Sequence, residues 1–108
     1  PVLTISSDDI PRFRDLNATA EMSPAMFPPL GYDVKDHDFY DFPGLKAAGT
    51  RMTIGSDWAF GMLLPLLPSI AHLVNSIGTE YLLEMLTING ARAVGKETVC
   101  HALQFVFE

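Results

Sequence analysis

The chain has 108 residues, enough for one domain or a piece of one. Hydrophobic residues make up 48% and charged residues 19%, a globular rather than a disordered balance. The net charge of −6 argues against a nucleic-acid surface, which requires a basic patch. The longest apolar run, residues 62–74, is interrupted by two prolines and a histidine and is too short to cross a bilayer, so no membrane partner is expected. The lone Cys100 excludes an internal disulfide and fits a reducing cytoplasm. No basic stretch followed by an apolar core opens the chain, so no signal peptide is visible. Because the first residue is Pro1 rather than Met, the expectation is that further residues precede it.

In chain order, residues 4–17 have the makings of a helix. Ser7 is a suitable N-cap, Asp8 and Asp9 suit the first turn, and Ile10, Phe13 and Leu16 recur at three-residue spacing and would face a core. Asn17 is a left-handed terminator. A short strand, Ala18 to Met22, follows and ends at Ser23-Pro24. Residues 23–42 are irregular, broken by Pro24, Pro28, Pro29 and Gly31. Their acidic residues, Asp33, Asp36, Asp38 and Asp41 with His37, lack the glycine and closing glutamate of a calcium loop and suit a solvated surface. The same loop carries Met26, Phe27 and Tyr32, which become pocket-lining candidates if a loop after a strand covers a substrate.

A second helix is expected over Phe42 to Gly49, with Gly49 as its stop, and a second strand over Arg51 to Gly55, with Met52 and Ile54 on one face. Two helix-to-strand units in succession predict parallel strands joined by crossover helices. Past the second strand come Ser56, Asp57 and Trp58. A carboxylate delivered just beyond the end of a buried strand is where α/β enzymes keep chemistry, although Asp is also common as a turn or cap residue. Pro65 to Asn75 has a helical apolar stripe, and His72 beside it is a packed or partly exposed histidine rather than a ligand. Gly78 ends that helix. Thr79 is expected to cap a helix too densely apolar for a surface element, Glu80 to Thr87, with a turn or kink at Asn89-Gly90 and a stop at Gly95. The tail from Thr98 is rich in Val and Phe and could form a strand, and its Cys100-His101 pair is too isolated for a metal site.

Four features in this order resemble one family. They are Ser7-Asp8-Asp9-Ile10-Pro11-Arg12-Phe13 before a strand ending in Ser23-Pro24, Leu45-Lys46-Ala47-Ala48-Gly49, Gly55-Ser56-Asp57-Trp58, and the run from Leu86 through Asn89-Gly90-Ala91-Arg92 to Gly95. From Ile5 to Gly95 the chain resembles the C-terminal part of the amidohydrolase superfamily, in its branch of metal-dependent hydrolases with a (β/α)8 barrel. The resemblance implies an α/β fold that is the C-terminal portion of a TIM barrel, incomplete as a domain: residues 1–95 with about two βα units and extra helices, then a divergent tail over 96–108.

It also implies an enzyme that hydrolyses non-peptide amide or cyclic amide C–N bonds with a metal-activated water. Asp57 would be the catalytic carboxylate and metal ligand at the end of strand eight, with zinc as the expected ion, and Trp58 would stand near the substrate together with Met26, Phe27 and Tyr32. In such a site the metal lowers the pKa of bound water and the carboxylate takes its proton. The family's His-x-His pair and its other ligands are not among these 108 residues, and His37, His72 and His101 match none of them. A metal needs about three protein ligands and a barrel about 250 residues. The chain alone is therefore expected to be inactive, to bind metal weakly, and to associate with a missing N-terminal barrel portion or with itself. A catalytically inactive α/β interaction or self-association module is the alternative. A nucleotide- or phosphate-binding domain is disfavoured by the absence of a phosphate-loop motif and of a Gly-x-Gly-x-x-Gly run opening a helix.

Overall fold

The computed structural model describes residues 5–24, 41–55 and 70–98. Its elements are α1 (Ile10–Asp15), β1 (Thr19–Met22), α2 (Phe42–Ala47), β2 (Arg51–Ile54), a 3-10 turn (Ala71–Leu73), α3 (Val74–Ile77), α4 (Thr79–Leu86) and α5 (Ile88–Ala93). This is a mixed α/β arrangement in which β1 and β2 form a two-stranded parallel sheet, as the repeated helix-to-strand pattern predicts.

The two strands are launched by the same device. At the end of α1, Ala18 N–H donates to Phe13 C=O and Asn17 N–H to Arg14 C=O; at the end of α2, Thr50 N–H donates to Leu45 C=O and Gly49 N–H to Lys46 C=O. Both are Schellman turns, which need a left-handed residue at their hinge. Asn17 has φ 50° and Gly49 φ 77°. The hinge-to-hinge separation, 49 − 17, equals the separation 51 − 19 of the paired residues Thr19 and Arg51, so equal turns deliver the strands in register. Ala20 then faces Met52, Glu21 faces Thr53, and Met22 faces Ile54.

Strand alternation sorts the side chains. Ala20, Met22 and Met52 are fully buried and join Phe42 and Leu45 of α2, Leu73 and Ile77 around α3, and Leu82 and Met85 of α4 in one core, with Ile54 packed against it. Thr19, Glu21, Arg51 and Thr53 occupy the other face of the sheet. Among the described residues, no helix is long and apolar enough to cross a membrane.

Several local expectations are corrected. The N-cap position of helix α1 is held by Asp9, not Ser7, without a capping hydrogen bond from its side chain. A cap at Ser7 would place Pro11 where its N–H is needed for the first intrahelical bond, whereas a cap at Asp9 places it in the first turn, where none is needed. Leu16 is 73% exposed rather than in the core. Two three-residue steps from Ile10 lag a 3.6-residue helix by about 120°, which carries Leu16 off the buried face. Asp41 is not a solvated loop residue but the N-cap of α2, accepting Gly44 N–H at 2.8 Å. Thr79 does not cap α4; that position belongs to Gly78, whose φ of 83° turns the chain sharply between α3 and α4. Helix α4 is a surface helix with one buried face, since Leu83 is exposed. The break after it falls at Thr87, and Asn89 and Gly90 lie inside α5. Gly95 ends α5 with φ 66°, as expected.

The outer edge of β2 has its own arrangement. Gly55 N–H donates to Met22 C=O, so odd-numbered residues of β2 turn their backbone groups toward β1 and even-numbered ones turn theirs to the side away from β1. On that side Tyr81 donates its hydroxyl to Thr50 C=O at 2.7 Å, and the buried Asn89 donates its amide to Met52 C=O at 3.1 Å. Two side chains from α4 and α5 thus occupy carbonyls that a further strand would use.

Burial pushes the Tyr81 hydroxyl above its ordinary pKa of 10.0 and the Glu84 carboxylate adds to this, while hydrogen bonding to the Met52 backbone acts the other way. The folded chain therefore holds this proton to higher pH than the unfolded chain. Its contribution to stability is complete below pH 10.0 and is lost as pH rises through the folded value. Replacing Tyr81 by Phe is expected to cost about 1–2 kcal/mol near neutral pH, because Thr50 C=O loses its donor, and to flatten the alkaline loss of stability; urea melts as a function of pH test both.

Candidate functional site

The C-terminal ends of β1 and β2 lie side by side, and their polar face brings Glu21, Ser23, Thr53 and Gly55 together. Glu21 stands on β1 opposite Thr53, and its carboxylate accepts the Ser23 hydroxyl at 2.7 Å. Ser23 and Thr53 are buried and Glu21 is half-buried. Gly55 extends the ladder one residue past β2 through its N–H to Met22 C=O at 2.9 Å. A side chain at position 55 would run into Glu21 Oε1, so glycine leaves the carboxylate its place against the neighbouring strand. The result is an anionic acceptor, held by a hydroxyl donor, at the end of a rigid parallel pair. Such a group can orient a donor on a bound molecule or accept a proton from it.

Sequence reasoning did not single out Glu21, Ser23 or Gly55. The available signal was a charged residue in the middle of an otherwise small and apolar strand, Thr19-Ala20-Glu21-Met22. The residues it did single out, Asp57, Trp58, Met26, Phe27 and Tyr32, lie outside the described residues, as do His37, Cys100 and His101. His72 is half-buried beside the core helix Val74–Ile77, in keeping with a packed histidine.

Below the site, the polar face of the sheet opens onto a cavity of about 710 Å³ walled by Thr19, Glu21, Arg51 and Thr53 on the strands and by Arg92 and Val94 on and after α5. Among the described residues no three His, Cys, Asp or Glu side chains gather in a group able to hold a metal ion. The described part of the chain thus does not fit a metal by itself.

No protein family, curated protein or solved structure matches the chain.

Gly55→Ala is expected to displace the Glu21 carboxylate and break its hydrogen bond with Ser23 while changing stability by less than about 1 kcal/mol, since the flexible end of a side chain gives way rather than the backbone. The carboxyl chemical shift of Glu21, followed with a thermal melt of the same variant, separates the two effects.

Proposed function

We propose that the chain is the C-terminal part of the catalytic barrel of a metal-dependent hydrolase of the amidohydrolase superfamily, acting on a non-peptide amide or cyclic amide C–N bond. The observation that carries this reading is the parallel, in-register pair β1 and β2 with helix α2 in the connection between them and a carboxylate site at their C-terminal ends. Strand, crossover helix and parallel strand make the repeating unit of a (β/α)8 barrel, and enzymes of that fold keep their chemistry at this end of the strands. Asp57 follows Gly55 by two positions in the sequence, and Arg51 and Thr53 of the strand before it share the polar face with Glu21.

In this reading β1 is strand seven, β2 is strand eight, and the polar face looks into the barrel. Asp57 is the catalytic carboxylate and one ligand of a divalent metal, with zinc the expected ion. Trp58, Met26, Phe27 and Tyr32 contribute to the substrate pocket. The remaining ligands come from an N-terminal barrel portion outside these 108 residues, which is the partner the chain requires, and the whole works on a small molecule in the cytoplasm. Bound metal would supply an activated water. The role of this chain's described residues is positional, with Glu21 and Ser23 buttressing the strand end from which Asp57 departs.

A second reading rests on the outer edge of β2. Tyr81 and Asn89 occupy the carbonyls that a neighbouring barrel strand would pair with, which suits a catalytically inactive α/β module that lives alone or self-associates.

The deciding experiment begins with the DNA upstream of the codon for Pro1. If an open frame there encodes a His-x-His strand, the protein expressed from it should hydrolyse C–N bonds, and Asp57→Asn should lower kcat by about 10²–10⁴. The 108-residue chain alone should turn nothing over and bind zinc weakly. Turnover with tight, stoichiometric zinc in the isolated chain would overturn the fragment reading. A start signal directly before Pro1, with no such frame and a metal-independent monomer or dimer in sedimentation, would favour the module.

A further inference from the structure

The opposite end of the sheet carries different chemistry. Where the chain enters β1 and β2, a cavity of about 250 Å³ lies between the two Schellman turns and helices α4 and α5. Arg14, Lys46, Arg51 and Arg92 all line it, four of the seven Lys and Arg in a chain whose net charge is −6. Glu84 is the only carboxylate among the described residues of its wall.

Of these cations only Arg14 is in an ion pair among the described residues, with Asp15 at 2.7 Å. The others rest on neutral acceptors. Lys46 Nζ donates to Ile77 C=O at 2.6 Å and lies 5.3 Å from the centre of the Tyr81 ring. Arg51 donates to Asn17 Oδ1 at 3.0 Å and Thr19 Oγ1 at 3.3 Å, and Arg92 reaches Asn89 Oδ1 at 3.5 Å. Thr50, on the same wall, is buried and its hydroxyl has no partner among the described residues. Four positive charges gathered around one carboxylate of the wall, Glu84, repel one another, and a buried hydroxyl left unpaired is a further cost; an anion relieves the repulsion.

We propose that this cavity binds a small phosphate oxyanion, either inorganic phosphate or the phosphate group of a small phosphomonoester, gripped by Arg51 and Arg92 with Lys46 adding charge. Guanidinium forks match phosphate oxygens in pairs, and Arg51 is already oriented by Asn17 and Thr19, so little side-chain freedom remains to be lost on binding. Asn17 is fixed in turn as the left-handed hinge that ends α1. The acidic remainder of the chain argues against a nucleic-acid backbone. The cavity lies where the strands begin, with its Arg51 and Arg92 also bordering the larger cavity that Glu21 lines, and the phosphate site is independent of the hydrolase reading.

The test is a titration of the 108-residue chain with inorganic phosphate and, separately, with glycerol phosphate, each against sodium chloride at equal ionic strength, following the amide resonances of Thr50 and Arg51. Saturable one-site binding is expected. Arg92→Gln and Arg51→Lys should each weaken it about tenfold, the second by removing the fork while keeping the charge. Arg12→Gln, whose residue pairs with Asp9 outside the cavity, should leave it unchanged. Arg92 is exposed, so its variant should fold, and a thermal melt verifies this. Tighter binding of glycerol phosphate assigns the site to a phosphomonoester, and equal binding assigns it to inorganic phosphate. Shifts that chloride reproduces, or folded Arg92→Gln and Arg51→Lys variants that retain full affinity, overturn the proposal.

Discussion

Equal turns govern this structure. A parallel pair of strands cannot be made by a hairpin; each strand must be brought to the same starting line by its own connection. Here the Schellman turns centred on Asn17 and Gly49 end α1 and α2 with the same two hydrogen bonds and release β1 and β2 in the same direction. The register follows from that equality, and the register in turn sets which residues share a face. Ala20, Met22 and Met52 go to the helices, while Glu21, Thr53 and Arg51 go to the polar side. A left-handed hinge is therefore the condition for both the core and the candidate site.

The two ends of the sheet differ in charge, with Arg51 and Arg92 bordering both cavities. At the C-terminal end a carboxylate is held by a serine against a glycine, and at the N-terminal end cations collect around the helix stops. The second follows partly from where helices finish. Lys46 lies in the last turn of α2 and Arg92 in that of α5, where a positive charge faces the partial negative charge of unpaired carbonyls. Because α1 and α2 both end where their strands begin, charges suited to helix ends are brought to one side of the sheet.

Much of the framework was legible because it is local. Asn17, Gly49, Gly78 and Gly95 all adopt positive φ where the pattern anticipated a stop, since that conformation suits few residue types. The strands and their parallel pairing followed from the order of helices and stops. What was not legible depends on distant partners. Asn89 beside Gly90 has the composition of a turn, yet it is helical because its side chain finds Met52 C=O across 37 residues of sequence. Ser7 and Asp9 are equally good caps by residue type, and the proline at position 11 decides between them. Glu21 was passed over because nothing beside it in sequence announces Gly55 as its neighbour. Asp57, the residue on which the functional reading turns, was singled out by its motif; the described structure reaches the strand that precedes it.

The capping of β2 also fixes an order of events during synthesis. Thr50 and Met52 leave the ribosome 31 and 37 residues before the Tyr81 and Asn89 side chains that cover them. Through that interval the nascent strand presents bare carbonyls, with an apolar face beside them, to any other extended segment nearby. Among the described residues the cover is supplied by the C-terminal helices. A chain stalled or cut between α3 and α4 would keep its sheet edge open, and the species it forms would be one that pairs with its own copies.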